Sequence, residues 1–203
     1  YGAFFVVATN LLVVLSHQAG YLKANAHLKN TRLAAVSALL AEVYDKQILS
    51  ILYPLPQQVP KNNQVLESRK LSFHSLDWAA LPGKNLTRDF DLPLSPHCRG
   101  YLDQAQVVES EKNSYQLRGW AVDSATTKTA DIVVLTTEDH SVVGIAFASR
   151  PRADIRQHYP NAIDSGWFGY AKVKPGQTIK AYALVNDNRS VCLLRGNFSR
   201  ADE

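Results

Sequence analysis

The sequence predicts an α+β fold, in which the end of an N-terminal membrane helix and amphipathic helices precede an antiparallel Ig-like β-sandwich. Three observations lead to this fold class: an uncharged apolar start, a following region with helical spacing of apolar residues, and an alternating pattern from Tyr115 onward. The predicted segments are a membrane-helix end at 1–22, an amphipathic helical stalk at 23–71, a proline-rich linker at 72–97 and a β-sandwich domain at 98–203.

Residues 1–22 contain no Lys, Arg, Asp or Glu. At about 1.5 Å per residue a helix of this length covers roughly 30 Å, the thickness of the hydrocarbon core of a bilayer. We therefore expect this segment to contact the membrane as the end of a transmembrane helix, with a buried soluble helix and a signal-peptide core as alternatives. The chain contains no methionine and begins inside the apolar run, so we also expect a piece of a longer protein.

Apolar residues recur at the spacing of one helix face between Thr31 and Leu52, with charged residues between them. This pattern predicts one amphipathic helix of about six turns. It should end before Pro54, because a residue that precedes proline disfavours helical geometry.

A second, shorter helix is predicted from Pro60, since proline is favoured in the first turn. Its expected apolar face consists of Val65, Leu66 and Leu71. The following linker contains several prolines and keeps no regular period. We expect Trp78 to anchor this linker on neighbouring elements.

The second half of the chain reads as six or seven short strands. The stretch YQLRGWAV places Tyr115, Leu117, Gly119 and Ala121 on one face of a half-buried strand. Further strands are expected at 132–135 and 142–148 on either side of the turn TTEDHS, and in WFGYAKV, TIKAYALV and SVCLLR. No helix is long enough for a parallel crossover, so the pattern favours an antiparallel sandwich.

The two cysteines, Cys98 and Cys192, lie in the first and last elements of the β-rich region. In a sandwich these elements can be neighbours, so a disulfide is possible and would contribute roughly 4 kcal/mol. Two buried free thiols are the alternative. A disulfide would indicate an oxidising compartment, whereas Lys23, Lys29 and Arg32, which follow the apolar run, weakly favour a cytoplasmic side.

Composition and motifs argue against several function classes. The 22 basic and 18 acidic residues are mixed along the chain, without the clustered basic and aromatic residues that bind nucleic acid. The six histidines form no HxH or HxxxH pattern and the cysteines lack ligand spacing, so no metal site is predicted. No phosphate-binding loop, nucleophile elbow or Ser-His-Asp arrangement is present, so the sequence predicts no cofactor and no catalytic residue in this region.

Four motifs together resemble one module: CRGYLD (98–103), LRGWAVD (117–123), RADIRQHYP (152–160) and SGWFGY (165–170). They are similar to a β-sandwich at the C-terminal, extracytoplasmic end of bacterial polytopic membrane proteins of envelope polysaccharide synthesis. Some of those proteins resemble lipid-linked-sugar glycosyltransferases. Residues 32–59 also resemble the segment that leaves the last membrane helix of such proteins. Ala153 and Trp167 replace the proline and the phenylalanine of the module's pattern.

The resemblance implies a non-catalytic docking or support domain, attached to the bacterial inner membrane and located in the periplasm or outside the cell. The full-length protein would be a membrane glycosyltransferase or a polymer-handling protein. The implied partners are an envelope glycan or lipid-linked sugar, and another membrane subunit. A carbohydrate-binding β-sandwich module and a soluble α+β protein are the alternatives.

The candidate ligand-binding residues are Trp167, Tyr170, Arg152 and Asp154. The two aromatic rings could form a platform for a sugar. Arg152 and Asp154 could contact a ligand or, alternatively, orient their own loop through an ion pair.

The residues with a predicted structural role are Gly119, Trp120 and Asp123. We expect Trp120 to fill the sandwich core, Gly119 to leave room beside it, and Asp123 to cap a turn. As an alternative, Asp123, Asp154 and Asp164 could supply the paired carboxylates of a glycoside hydrolase.

Overall fold

The computed structural model describes residues 23–90, 97–187 and 189–199. The predicted membrane-helix end at 1–22 lies outside these residues. In the part that is described, no helix is both long enough and apolar enough to cross a membrane.

Helical elements come first in the chain and strands follow. Helix α1 covers 23–40, and α2 (Lys46–Leu52), α3 (Val59–Ser68) and α4 (Leu86–Asp89) follow it, with 3-10 turns at Pro56–Gln58, Ser72–Ser75 and Asp77–Ala80. The strands are β1 (Cys98–Val107), β2 (Ser114–Asp123), β3 (Lys128–Thr129), β4 (Ile132–Thr136), β5 (Val142–Arg150), β6 (Gly166–Lys172), β7 (Thr178–Val185), β8 (Ser190–Leu193) and β9 (Phe198–Ser199). Helix α5 (Ala153–Arg156) lies between β5 and β6.

The single helix expected over 31–52 is wrong, because two helices occupy this segment. Just after the end of α1, Glu42 lies in the left-handed region at φ 52°. The amide of Val43 then donates to the carbonyl of Ala38 at 2.8 Å, which closes the last turn of the helix. Asp45 then caps α2, since its carboxylate accepts a hydrogen bond from a backbone amide of the first turn. Ala35 and Leu39 of α1 and Leu49 of α2 are buried in one cluster, so the apolar period continues through the break.

The second predicted helix is found as α3, but its expected apolar face is wrong. Val65 and Leu71 are about half exposed, whereas Val59 and Asn63 are buried. Burial of Asn63 is possible because its side-chain amide donates to the carbonyl of Leu39 at 3.3 Å. The polar side chain of Asn63 therefore packs where the apolar pattern predicts an apolar residue.

The β-rich half is an antiparallel sheet, as predicted, but an Ig-like sandwich is not seen. The strands form one sheet in the order β1-β2-β6-β5-β4-β7-β8, with β3 beside β2 and β9 beside β7. Just after β8 the chain reaches β1: the amide of Leu102 donates to the carbonyl of Arg195 at 2.9 Å, and the amide of Arg195 donates to that of Gly100 at 3.1 Å. The sheet thus curves back on itself and is partly barrel-like.

Bulges and a glycine explain the curvature. The register shifts in β1 between Leu102 and Gln104, and further shifts occur where β4 pairs with β5 and where β5 pairs with β6. A Cβ added at Gly119 would lie 2.0 Å from the carbonyl oxygen of Tyr101 and 2.5 Å from the ring of Trp167. The single curved sheet therefore encloses its own core. In a sandwich, a second sheet would cover that core.

The core of the barrel consists of inward side chains from most strands, and Tyr115, Leu117 and Trp167 are among those that are fully buried. The predicted disulfide is confirmed: Cys98 of β1 is bonded to Cys192 of β8, with the two Cα atoms 6.0 Å apart. It joins the two ends of the strand order.

Helix α1 packs across the outer face of the barrel with a row of small residues. Ala34 and Ala38 contact the outward rings of Phe168 and Tyr170. Between them Ser37 is fully buried, and its hydroxyl accepts a hydrogen bond from the amide of Tyr170 at 2.8 Å and donates one to the carbonyl of a β5 residue. The helix therefore supplies hydrogen bonds to the sheet as well as apolar cover.

The predicted linker also lies on the outer face of the barrel. Leu81 and Leu86 are buried there, and the Trp78 ring meets the Phe147 ring edge to face, with 5.1 Å between the ring centres. The expectation that Trp78 anchors this segment is confirmed.

Candidate functional site

Residues of three of the four motifs, CRGYLD, LRGWAVD and RADIRQHYP, meet on the outer face of β1 and β2 and in the turn that leads into α5. Arg152 lies between two carboxylates there: its Nη1 is 2.6 Å from Asp103, and its Nε and Nη2 are 2.9 and 2.7 Å from the two oxygens of Asp154. Asp103 is the extra residue at the bulge in β1, which directs its side chain outward. The ion pair considered as the structural role of Arg152 and Asp154 is therefore present.

Arg152 and Asp154 stay charged at neutral pH. The hydrogen bond from Arg152 lowers the pKa of Asp154 to about 2, and both carboxylates in turn raise the pKa of Arg152. The cluster fixes the loop after β5 against β1. A charged ligand would have to compete with these contacts.

Asp123 caps the turn after β2, as the sequence predicts. Its Oδ1 accepts hydrogen bonds from the amides of Ala125 and Thr126 at 2.9 and 3.3 Å. Since Asp123 binds backbone amides and Asp154 binds Arg152, these two carboxylates are not free to act as the acid and base of a glycosidase. The hydrolase alternative is thus contradicted for this pair.

The two tryptophans exchange their expected places. Trp167, not Trp120, fills the core, where it is fully buried beside Gly119. Trp120 faces outward and is half-buried against Ile155 and Ala162. The alternation of β2 had placed Gly119 and Trp120 on opposite faces, but only the register with β6 shows which face is the inner one.

The proposed aromatic platform is not accessible. Trp167 lies in the core, and Tyr170 is fully buried beneath α1. A different aromatic pair, not predicted from the sequence, faces outward: Tyr101 of β1 is 43% exposed and lies directly opposite Trp120. Tyr101 belongs to the CRGYLD motif, but its pairing depends on the strand register.

Tyr170 has a structural role instead. Its hydroxyl donates to Asp45 at 2.7 Å and accepts from the side-chain amide of Gln116 at 3.2 Å. Burial is the main cause that raises the pKa of Tyr170, so the phenol remains a donor at neutral pH. Because Asp45 also caps α2, this bond ties the helices to β6.

A cleft of about 420 Å³ lies where the end of α1 meets the linker, and Glu42, Glu67, His74 and Lys172 are among the residues that line it. The His74 ring is hydrogen-bonded to Asn63 at 3.0 Å, and burial lowers the pKa of His74. Across the described ranges, no group of three or more His, Cys, Asp or Glu side chains could hold a metal ion.

Comparison of this chain with protein-family models, with curated proteins and with solved structures finds no match.

Proposed function

We propose that this chain is a non-catalytic, extracytoplasmic region of a bacterial membrane protein of envelope polysaccharide synthesis or glycosyl transfer, in which it serves as a docking or support domain. Residues 1–22 attach it to the membrane in this proposal. The acidic residues nominated for chemistry support a non-catalytic role, since Asp123 and Asp154 are engaged in structural contacts.

The observation that carries the proposal is the disulfide between Cys98 and Cys192. Disulfides persist in oxidising compartments and are rare in the bacterial cytoplasm. The disulfide joins β1 to β8, where the sheet closes on itself. A domain with a disulfide at this position is suited to the periplasm or the cell surface.

The redox state of the two cysteines in the native compartment tests the proposal. Cells are treated with an alkylating reagent under denaturing conditions, and the protein is then reduced and labelled with a second reagent of different mass. We expect both cysteines to carry only the second label, because the bond protects them from the first.

Cys98→Ala is the matched control, since Cys192 should then take the first label and show that the reagent reaches it. The proposal is contradicted if both cysteines of the unaltered protein carry the first label.

A carbohydrate-binding module is the second candidate, and the outward pair of Tyr101 and Trp120 favours it. Solvent-facing aromatic rings bind the apolar faces of sugars, and charged groups beside them can fix the orientation of the ligand. Here the Asp103–Arg152 ion pair lies on the same side of the barrel. This candidate replaces the buried platform of Trp167 and Tyr170.

Binding of envelope polysaccharides to an array tests this second candidate. We expect Tyr101→Ala to lose binding with little change in melting temperature, because the residue is 43% exposed and lies outside the core. Tyr53→Ala removes another exposed tyrosine, on the helical side, and should bind as the unaltered chain does. Equal binding by Tyr101→Ala and the unaltered chain, or no binding by either, would exclude the platform.

A further inference from the structure

Two arginines lie together on the outer face of the barrel, on either side of Phe168 of β6. Arg118 of β2 is the cross-strand partner of Phe168. The guanidinium of Arg150, at the end of β5, lies 4.2 Å from the centre of the Phe168 ring. Both arginines are half-buried, so their charges are only partly screened by water.

Neither arginine has an acidic partner in the part of the chain that the structure describes. The acidic side chains with contacts on this side of the barrel are already engaged: Asp103 and Asp154 bind Arg152, and Asp45 accepts a hydrogen bond from Tyr170. Burial and then the charge of Arg118 lower the pKa of Arg150. The pair is thus a local excess of positive charge.

Both guanidiniums are held in place and keep donors available. The Nη2 of Arg118 donates to the Oε1 of Gln116 at 3.3 Å, which leaves most of its five N–H donors unused. Phe168 supports Arg150 from below. The two like charges repel each other, and each guanidinium has the planar donor geometry that suits a carboxylate or a phosphate.

We propose that Arg118 and Arg150 bind the oxyanion of a ligand, a carboxylate or a phosphate group, on the outer face of the barrel. Trp120 follows Arg118 by two residues on the same face of β2, so a sugar ring attached to the oxyanion would lie against the indole. The oxyanion therefore has two possible sources, free inorganic phosphate and the acidic group of a sugar. The site does not depend on the docking role or on the compartment proposed above.

Titration of the whole 203-residue chain with four probes tests the site: inorganic phosphate, glucuronate, glucose 6-phosphate and, as the neutral control, glucose. Ionic strength is held constant with sodium chloride, because screening alone alters charged surfaces. Heat of binding and melting temperature are measured. We expect at least one oxyanion probe to bind and to raise the melting temperature, and glucose to do neither.

The order of affinities distinguishes the sources. Tighter binding of glucuronate or glucose 6-phosphate than of inorganic phosphate supports an acidic sugar, whereas equal affinity supports free phosphate. No binding of any oxyanion probe by the unaltered chain overturns the proposal.

Variants of Arg118 locate the binding. Arg118→Gln should weaken it by about tenfold, the effect of losing one charged hydrogen bond. Arg118→Glu should abolish it and raise the melting temperature of the ligand-free chain, because the new carboxylate pairs with Arg150. Arg156→Gln, which removes an exposed arginine of α5, should bind as the unaltered chain does. Unchanged affinity in Arg118→Gln places the binding elsewhere and overturns the proposal.

Discussion

At the scale of single residues, Gly119 and Trp167 determine how the inner face of the barrel packs. The Trp167 indole occupies the space that a side chain at position 119 would need. The backbone of β1 is closer still, with the carbonyl oxygen of Tyr101 at 2.0 Å, so a methyl group at position 119 would displace both neighbours. The glycine of the LRGWAVD motif therefore has a structural role. It leaves room for Trp167 and not for Trp120, which follows it in sequence and faces outward.

Gly119→Ala is expected to destabilise the chain by about 2–3 kcal/mol, because overpacking a rigid core displaces both the indole and a neighbouring strand. Urea denaturation measures the free energy of unfolding. Gln106→Ala, an exposed change on β1, is the control and should stay within about 0.5 kcal/mol. A similar effect of both substitutions would mean that position 119 has room for a methyl group.

The Arg152–Asp154 pair gives stability a defined dependence on pH. Asp154 has a pKa of about 2 in the folded chain, against about 3.9 when unfolded, so its contribution is present above pH 4 and is lost as the pH falls to about 2. At pH 7 we expect Asp154→Asn to cost about 0.5–1 kcal/mol, since the Asp154 side chain is 61% exposed and water screens the pair.

The difference between this variant and the unaltered chain should shrink when urea denaturation is repeated between pH 4 and pH 2. Asp131→Asn, at an exposed site before β4, serves as the control. A difference that is independent of pH would show that the ion pair does not act through the charge of Asp154.

At the scale of elements, α1 is joined to the sheet by Ser37. The hydroxyl accepts from the amide of Tyr170 in β6 and donates to the carbonyl of Ile145 in β5, at a point where the two strands do not pair with each other. Small neighbours in the helix let the backbones approach closely. The helix thus completes the hydrogen bonding of a gap in the barrel wall.

Ser37→Ala should cost about 1–3 kcal/mol, because it leaves a buried amide and a buried carbonyl without partners. Hydrogen exchange at the amide of Tyr170 should also become faster. Ser50→Ala removes an exposed hydroxyl of α2 and should leave both measurements unchanged. Unchanged exchange at Tyr170 in the Ser37 variant would contradict the bridge.

Helices and strands could be predicted where residues close together in the sequence determine them. Alternation assigned Leu117 and Gly119 to one face of β2, because that pattern depends only on neighbouring residues. The break between α1 and α2 was not predictable, since Glu42 adopts a left-handed conformation for which glycine is the usual signal.

At the scale of the whole molecule, the closure of the sheet could not be predicted from the sequence. Six or seven strands with short turns fit a sandwich and a barrel equally well, and the difference lies in the long-range pairing near Leu102 and Arg195. For the same reason the Arg118 and Arg150 cluster was missed, because the two residues belong to strands that meet only through β6. The disulfide was expected because the two cysteines mark the ends of the β-rich region.

Replacement of both cysteines by serine should destabilise the chain by about 2–4 kcal/mol, since the bond restricts the unfolded chain over a separation of 94 residues. Thermal unfolding with and without reductant measures the effect. Reductant should lower the melting temperature of the unaltered chain and leave that of the variant as it is. Insensitivity of the unaltered chain to reductant would show that closure does not depend on the bond.

The position of the disulfide also determines how the protein would respond to proteolysis. Every turn between β1 and β8 lies inside the covalent ring that Cys98 and Cys192 close, so a single cut there leaves two pieces still joined. Such a nicked chain would migrate as one species until it is reduced. The helices before Cys98 lie outside the ring, and after a cut in the linker only non-covalent contacts, such as the packing of α1 and the Tyr170–Asp45 hydrogen bond, would hold them on the barrel.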